Sequence, residues 1–283
     1  MKSFSSENTE TPTATVVIRP SSGWMPINWR DLWSYREVLY FLTWREIKVR
    51  YKQTLLGFAW AVIQPVFMMI VFSLFFGTLA QVPSDGIPYP LFSYAALLPW
   101  TMFAQGLDRA SNSLIANVNL VQKVYCPRLI MPISGAISPL VDFAIAFVVL
   151  IGLMAYYGYA PTINVLWLPA LLLLALMTTL GVGLWLSAIN VRYRDIRYTI
   201  PFLIQLWMYA SPVVYSSTLL PEKYQILYGL NTMAGVINGF RWALLGTEPP
   251  GPLLAVSVTI VVVILVTGVY YFRHNEKIFA DVV

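Results

Sequence analysis

Long apolar runs, separated by short polar stretches rich in Lys and Arg, set the rhythm of this chain. A helical bilayer crossing takes about 20 mostly apolar residues, and runs of that kind occupy residues 55–80, 91–110, 132–157, 165–190, 199–218 and 252–272. The pattern predicts an all-α membrane protein with six transmembrane helices, a single transmembrane domain over residues 30–283 and a flexible N-terminal arm over residues 1–29. Just before the first run, "LTWREIKVRYKQTLLGFAW" (residues 42–60) sets Arg45, Glu46, Lys48, Arg50 and Lys52 directly against apolar sequence. Leu32, Tyr35, Leu39 and Leu42 recur there at helical spacing, as do Tyr40, Trp44, Ile47 and Tyr51, with Arg45, Lys48 and Lys52 opposite and Glu46 four residues ahead of Arg50. This predicts an amphipathic helix lying in the headgroup layer, its aromatic residues at the interface and its basic groups toward phosphate.

Two polar intervals carry weaker helical signals. In "SNSLIANVNLVQKVYCPRLIMP", Leu114, Val118, Val121 and Tyr125 share a face. The helix they predict should stop before Pro127, because the residue ahead of a proline disfavours the α region. It is either a dock for a cytosolic partner or a plain surface turn. Residues 199–250 must cross the bilayer an odd number of times, and after residue 218 the apolar runs are too short for further crossings. Here Asn231 is a natural N-cap, Met233, Val236, Ile237, Phe240 and Leu244 share a face, and Gly246 is a natural stop. Two short external re-entrant helices are expected before the last span, forming a gate or a simple cap.

Composition agrees with the membrane reading: 58% of the 283 residues are hydrophobic, 15% aromatic and only 11% charged, against about 25% charged in soluble domains. Basic residues are retained on the cytoplasmic side. With the N-terminus inside, all of the 18 Lys and Arg residues except Lys223 and Arg241 fall there, so both termini are expected in the cytoplasm. The same bias accounts for the net charge of +5 without any nucleic-acid partner. No apolar core follows the charge at the start, so no cleavable signal peptide is expected. Cys126 is the one cysteine and rules out an internal disulfide. Asp142 stands about ten residues into the third run, roughly 15 Å deep, and is either a functional intramembrane carboxylate or a structural contact to a neighbouring helix. There is no GxxxxGK[ST] phosphate loop, no GxSxG elbow, one histidine (His274) and therefore no transition-metal cluster. The chain reads as a conduit whose energy comes from elsewhere, with no cofactor, catalytic residue or metal of its own.

Five stretches in order resemble the transmembrane subunit of ABC-type polysaccharide exporters, which move O-antigen, capsule or teichoic-acid polymers across bacterial plasma membranes. They are "TWREIKVRYKQTLLGFAWAVIQP" (43–65), "PYPLFSYAALLPWTMFA" (88–104), "NVNLVQKVYCPRLIMPIS" (117–134), "NVRYRDIRY" (190–198) and "SPVVYSSTLLPEKYQILYGLNTMAGVINGFRWALLG" (211–246), and the resemblance spans roughly residues 30–275. It implies a homodimer in the bacterial inner membrane, bound to two copies of a cytosolic ABC ATPase that holds ATP and Mg. It further implies a substrate polysaccharide carried on undecaprenyl pyrophosphate. By the same resemblance, Arg45, Lys48, Arg50 and Lys52 meet the lipid pyrophosphate or headgroups. Asn117, Val121, Lys123, Tyr125 and Arg128 belong to a coupling helix on the ATPase. Trp60, Phe67, Phe72, Trp207, Tyr209 and Tyr215 line a sugar path, and Tyr224, Asn231, Phe240 and Arg241 sit in the external gate. A small-molecule ABC exporter permease and an ion-coupled secondary transporter using Asp142 are the competing readings.

Overall fold

A computed structural model describes the protein over residues 29–52, 57–123, 126–193, 195–219, 221, 224, 227–276 and 279. The N-terminal arm to residue 28, Tyr125, Arg194, Lys223 and Lys277 lie outside these residues. In hydrocarbon every backbone polar group has to be satisfied within the protein, and the described regular structure is helical throughout. α1 (Trp29–Ser34) and α2 (Arg36–Lys52) precede α3 (Ala59–Phe72), which loosens into a π-helical stretch, Ser73–Leu79. Then come α4 (Tyr89–Ala116), α5 (Val118–Lys123), α6 (Ile130–Ile137), α7 (Leu140–Tyr156), α8 (Leu168–Arg192), α9 (Ile196–Ala210), α10 (Thr232–Leu245) and α11 (Gly251–Asn275).

Among the described residues four stretches are long and apolar enough to cross a membrane: Ala59–Leu79, Ile130–Tyr156, Ile163–Arg192 and Gly251–Asn275. They coincide with four of the six expected runs. The remaining two runs are also helical, as α4 and α9, but are not among those four. α4 is 28 residues long but carries Gln105, Asp108, Arg109, Asn112 and several serines, and it tolerates them because it is the spine of the bundle, buried without interruption from Leu91 to Trp100. α9 is 15 residues, about 22 Å at 1.5 Å per residue, shorter than the roughly 30 Å hydrocarbon layer. It ends because Ser211 precedes Pro212 and takes an extended ψ of 152°.

α4 packs against α3, α6, α7, α8 and α10, and α8 against α11. Small residues permit the close approach, as expected where lipid supplies no hydrophobic drive between helices. A Cβ on Gly135 of α6 would lie 2.8 Å from the Ala110 backbone nitrogen of α4, and one on Gly268 of α11 would run into the Gly181 carbonyl oxygen of α8.

The third expected span, 132–157, is not one continuous helix. It breaks at Ser138 and Pro139 between α6 and α7, and the break gives α7 an N-terminus of its own with Asp142 in the first turn. The positive end of the helix dipole favours a carboxylate there. α10 follows its expected bounds: the Asn231 side chain accepts from the Met233 N–H at 3.2 Å, and Gly246 stops the helix at φ 71°. Its burial differs from the one-sided face read in the sequence, since Thr232 to Ile237 and Gly239 to Arg241 are all buried. The other short external helix falls largely on residues 220–226, and of these Leu220, Glu222, Lys223, Gln225 and Ile226 lie outside the described residues.

Candidate functional site

At the end of the bundle where α2 packs on α6, charged and polar groups from four helices converge. The Arg50 guanidinium lies 2.6 Å from the Asp142 carboxylate and donates to Gln105 Oε1 at 2.8 Å. The Tyr51 hydroxyl also donates to Asp142. Burial first, and then the Asp142 carboxylate, push the Tyr51 phenol up to about 12, so it stays a donor at any physiological pH. Arg109 donates to Ser138 Oγ at 2.7 Å, and Ser134 Oγ donates to Glu46 at 3.2 Å. Asp142 thus makes the contact to a neighbouring helix that one of its two sequence readings expects, tying α7 to α2. Sequence reading flagged Asp142 without its partners. Arg50 and Tyr51 lie about ninety positions away, a separation that pattern alone cannot bridge.

α2 divides its residues otherwise than the sequence pattern suggested. Leu32 of α1 and then Tyr35, Leu39, Leu42, Glu46 and Arg50 turn toward the protein. Tyr40, Trp44 and Val49 share the exposed face with Arg45, Lys48 and Lys52. An aromatic and basic surface of this kind suits a headgroup layer, which accepts both Trp rings and cations. Of the four cations read as lipid contacts, Arg50 is committed to Asp142 and Gln105, and Arg45 donates to Asn117 Oδ1. Lys48 and Lys52 are exposed.

Asn117 ends α4 and is buried, with its amide nitrogen on the Ser113 carbonyl at 2.8 Å. It interrupts the helix that was read as continuous from Leu114 to Tyr125, leaving α5 as six residues, Val118–Lys123. Val121 is buried, whereas Asn119, Gln122 and Lys123 point outward. Arg128 donates to the Glu276 carbonyl, and Arg273 pairs with the Glu276 carboxylate at 3.1 Å. The segment after α5 is thereby fastened to the end of α11.

The aromatic residues read as a sugar path part company. Trp60, Phe67 and Tyr209 are exposed on α3 and α9. Phe72 is buried in the core. Trp207 packs edge-on against Phe103 at 5.0 Å and donates to Asn231 at 2.8 Å. Tyr215 shares a hydrogen bond with Tyr228 at 2.8 Å. These three are used by the fold, for the periodicity of a helix in a greasy run does not tell a lipid-facing ring from a core ring.

At the opposite end, near the start of α4, Asn231 joins α9 to α10 by donating to the Ala210 carbonyl at 2.9 Å and to Ser211 Oγ at 3.0 Å. Phe240 is fully buried, and Tyr224 is exposed. Arg241 is 2% exposed, with its guanidinium over the Phe92 ring at 3.5 Å and donating to the carbonyls of Val213 at 2.9 Å and Phe92 at 3.3 Å. The expectation for Arg241 was a place in an external gate; in the structure it is a buried tie between α10, α4 and the turn after α9.

Residues 37–245 match the family described as ABC-2 type transporter. The O-antigen export system permease protein RfbA of Myxococcus xanthus is 30% identical over 253 residues, covering 87% of this chain and 96% of that protein. The protein of the same description from Klebsiella pneumoniae is 25% identical, covering 87% and 95%. The polysialic acid transport protein KpsM of Escherichia coli is 21% identical, covering 82% and 91%.

Proposed function

The chain belongs to the ABC-2 type transporter family, and from that membership we propose that it is the membrane-spanning subunit of an ATP-driven exporter of lipid-linked polysaccharide. The end-to-end similarity to O-antigen and polysialic acid permeases carries this reading. The substrate is a glycan on undecaprenyl pyrophosphate, moved from the cytoplasm to the outer side of the bacterial inner membrane. Two copies of the chain form the channel, and two cytosolic ATPase subunits supply ATP and Mg. The exposed rings of α3 and α9 support a pairing of copies along those helices: among the described residues Trp60, Phe67, Phe202 and Tyr209 are left exposed. Amphipathic ring faces suit contact with sugar C–H surfaces.

α5, with Asn119, Gln122 and Lys123 outward, is the contact for the ATPase. A partner shifts a two-state gate only by interacting differently with its two states, and ATP-dependent closure of the ATPases provides that difference. Through Asn117 and Arg45 the push reaches α2, and through Arg50 and Asp142 it reaches α7. α10 and the chain ahead of it act as the external gate. Lys48 and Lys52 meet the lipid pyrophosphate at the interface. The competing ion-coupled mechanism would need Asp142 open to a coupling ion, whereas Arg50 and Tyr51 occupy it.

Reconstitution tests the reading. With the cognate ATPase in proteoliposomes, undecaprenyl-pyrophosphate glycan should reach the far leaflet only when ATP is hydrolysed, and the glycan should stimulate hydrolysis. Glycan movement without the ATPase, or ATP-driven movement of small amphiphiles alone, would overturn it.

A further inference from the structure

At the α4 N-terminal end of the bundle, opposite α2 and α5, the fold leaves a cavity of about 380 Å³, within the size range of small-molecule sites, roughly 300–1,000 Å³. Three separate segments build it: the loop before α4, the turn after α9, and α10 with the loop that follows it. Asp85 in the first of these adopts φ 54°, a left-handed conformation that Asp tolerates better than most residues. Its carboxylate is held in place from both sides. Ser216 Oγ donates to one oxygen at 2.6 Å, and Thr218 Oγ1 donates to the other at 3.0 Å. Ser216 is itself 2% exposed. A carboxylate offers about four lone-pair sites, so acceptor capacity remains on each oxygen of Asp85. Asn238 gives one amide hydrogen to Ser217 at 3.0 Å, which leaves a second hydrogen and the amide oxygen. Glu248 stands exposed at the rim, and Arg241 closes the base with its guanidinium on backbone carbonyls.

The chemistry of this lining is selective. Fixed carboxylate, hydroxyl and amide groups, set beside the apolar surfaces of Pro249, Pro250 and Leu253, match a ligand that carries many hydroxyl groups on a compact apolar ring. Sugar hydroxyls can donate to Asp85 and Glu248 and accept from Asn238. Among the described lining residues two carboxylates, Asp85 and Glu248, stand against one guanidinium, Arg241, so the lining carries a formal net negative charge that disfavours an anionic ligand. A metal ion is a poor match, because among the described residues no three His, Cys, Asp or Glu side chains cluster. Resting on the exporter reading, the geometry points to this cavity as a subsite for one or two uncharged sugar residues of the emerging glycan, discriminating against acidic sugars. The substrate class thereby narrows to polymers with neutral repeat units.

The test uses the complex of this chain and its ATPase in nanodiscs. Mannotriose and α2,8-linked trisialic acid serve as neutral and anionic probes, with affinity read by saturation-transfer NMR on wild type, Asp85→Asn and Glu248→Gln. The wild type should bind the neutral trimer and reject the anionic one. Asp85→Asn should weaken mannotriose by about tenfold, the scale of one hydrogen bond to a charged group. Glu248→Gln, at an exposed position that leaves the fold intact, should narrow the discrimination between the two probes. Equal binding of both trimers, or variants indistinguishable from wild type, would overturn the subsite. ATP-driven glycan export measured on the same preparations separates the two claims. Export without trimer binding defeats the subsite alone, whereas trimer binding without export defeats the exporter reading and leaves a glycan-binding cavity.

Discussion

Arg50 of α2 and Asp142 of α7 meet at 2.6 Å, so the helix that lies along the bundle end is pinned by charge to a helix that crosses it. Asp142 is buried and Arg50 partly so, and removing one member of such a pair strands the other. Arg50→Met should destabilise the protein by about 3 kcal/mol, and Arg50→Met with Asp142→Leu should recover most of that loss. Thermal unfolding in detergent would decide it: a double variant as unstable as the single one means that the pair is not the source.

Arg45 and Asn117 link α2 to the junction of α4 and α5. If α5 receives the ATPase stroke, Arg45→Ala and Asn117→Ala should each cut glycan-stimulated ATP hydrolysis several-fold, with basal hydrolysis by the ATPase preserved. The two changes together should do little more than either alone, because residues in one contact are not additive. Fully additive losses would show that they act by separate routes.

Gly268 lies so near the Gly181 carbonyl that an added methyl group has no room. Gly268→Ala should push α8 and α11 apart and cost about 1–3 kcal/mol, the usual penalty of overpacking. Gly152, where a Cβ meets nothing within 4 Å, is the control: Gly152→Ala should leave the melting temperature unchanged or raise it slightly, since alanine is the better helix former.

Cys126, the single thiol of the chain, reports on the segment that follows α5. Burial pushes its thiol up, and the nearby Arg128 charge opposes that. Only the thiolate reacts, so iodoacetamide labelling should rise with pH to a midpoint above the ordinary thiol value of about 8.5. Arg128→Ala removes the opposing charge and should move the midpoint higher still, slowing the reaction at any fixed pH. A midpoint at or below the ordinary value would contradict this placement.

The crossing helices were legible because lipid demands long unbroken apolar runs, and local cap chemistry at Asn231 and Gly246 marked the bounds of α10. What escaped was set by contacts distant in sequence. α4 reads as an ordinary span, yet its polar residues exist because other helices surround it. Phe72 and Trp207 look like surface rings until the packing is seen. On α2 the aromatic residues fall on both sides of the helix, so no single stripe defined its face. The candidate site suffered most for the same reason: Arg50, Tyr51, Gln105 and Asp142 come from three helices, and Asp85 lies in a loop with no periodic signal at all.

The burial of Arg241 has a consequence for biogenesis. A guanidinium cannot stay in hydrocarbon unaccompanied, and the carbonyls that receive it belong to Phe92 and Val213. α10 therefore has no resting place until α4 and the turn after α9 are in position, and must settle after them. Cysteine accessibility at position 238, followed on chains released at successive lengths during synthesis, should show this helix becoming protected late and in one step. A single cation thus orders the assembly of a membrane protein that otherwise inserts helix by helix.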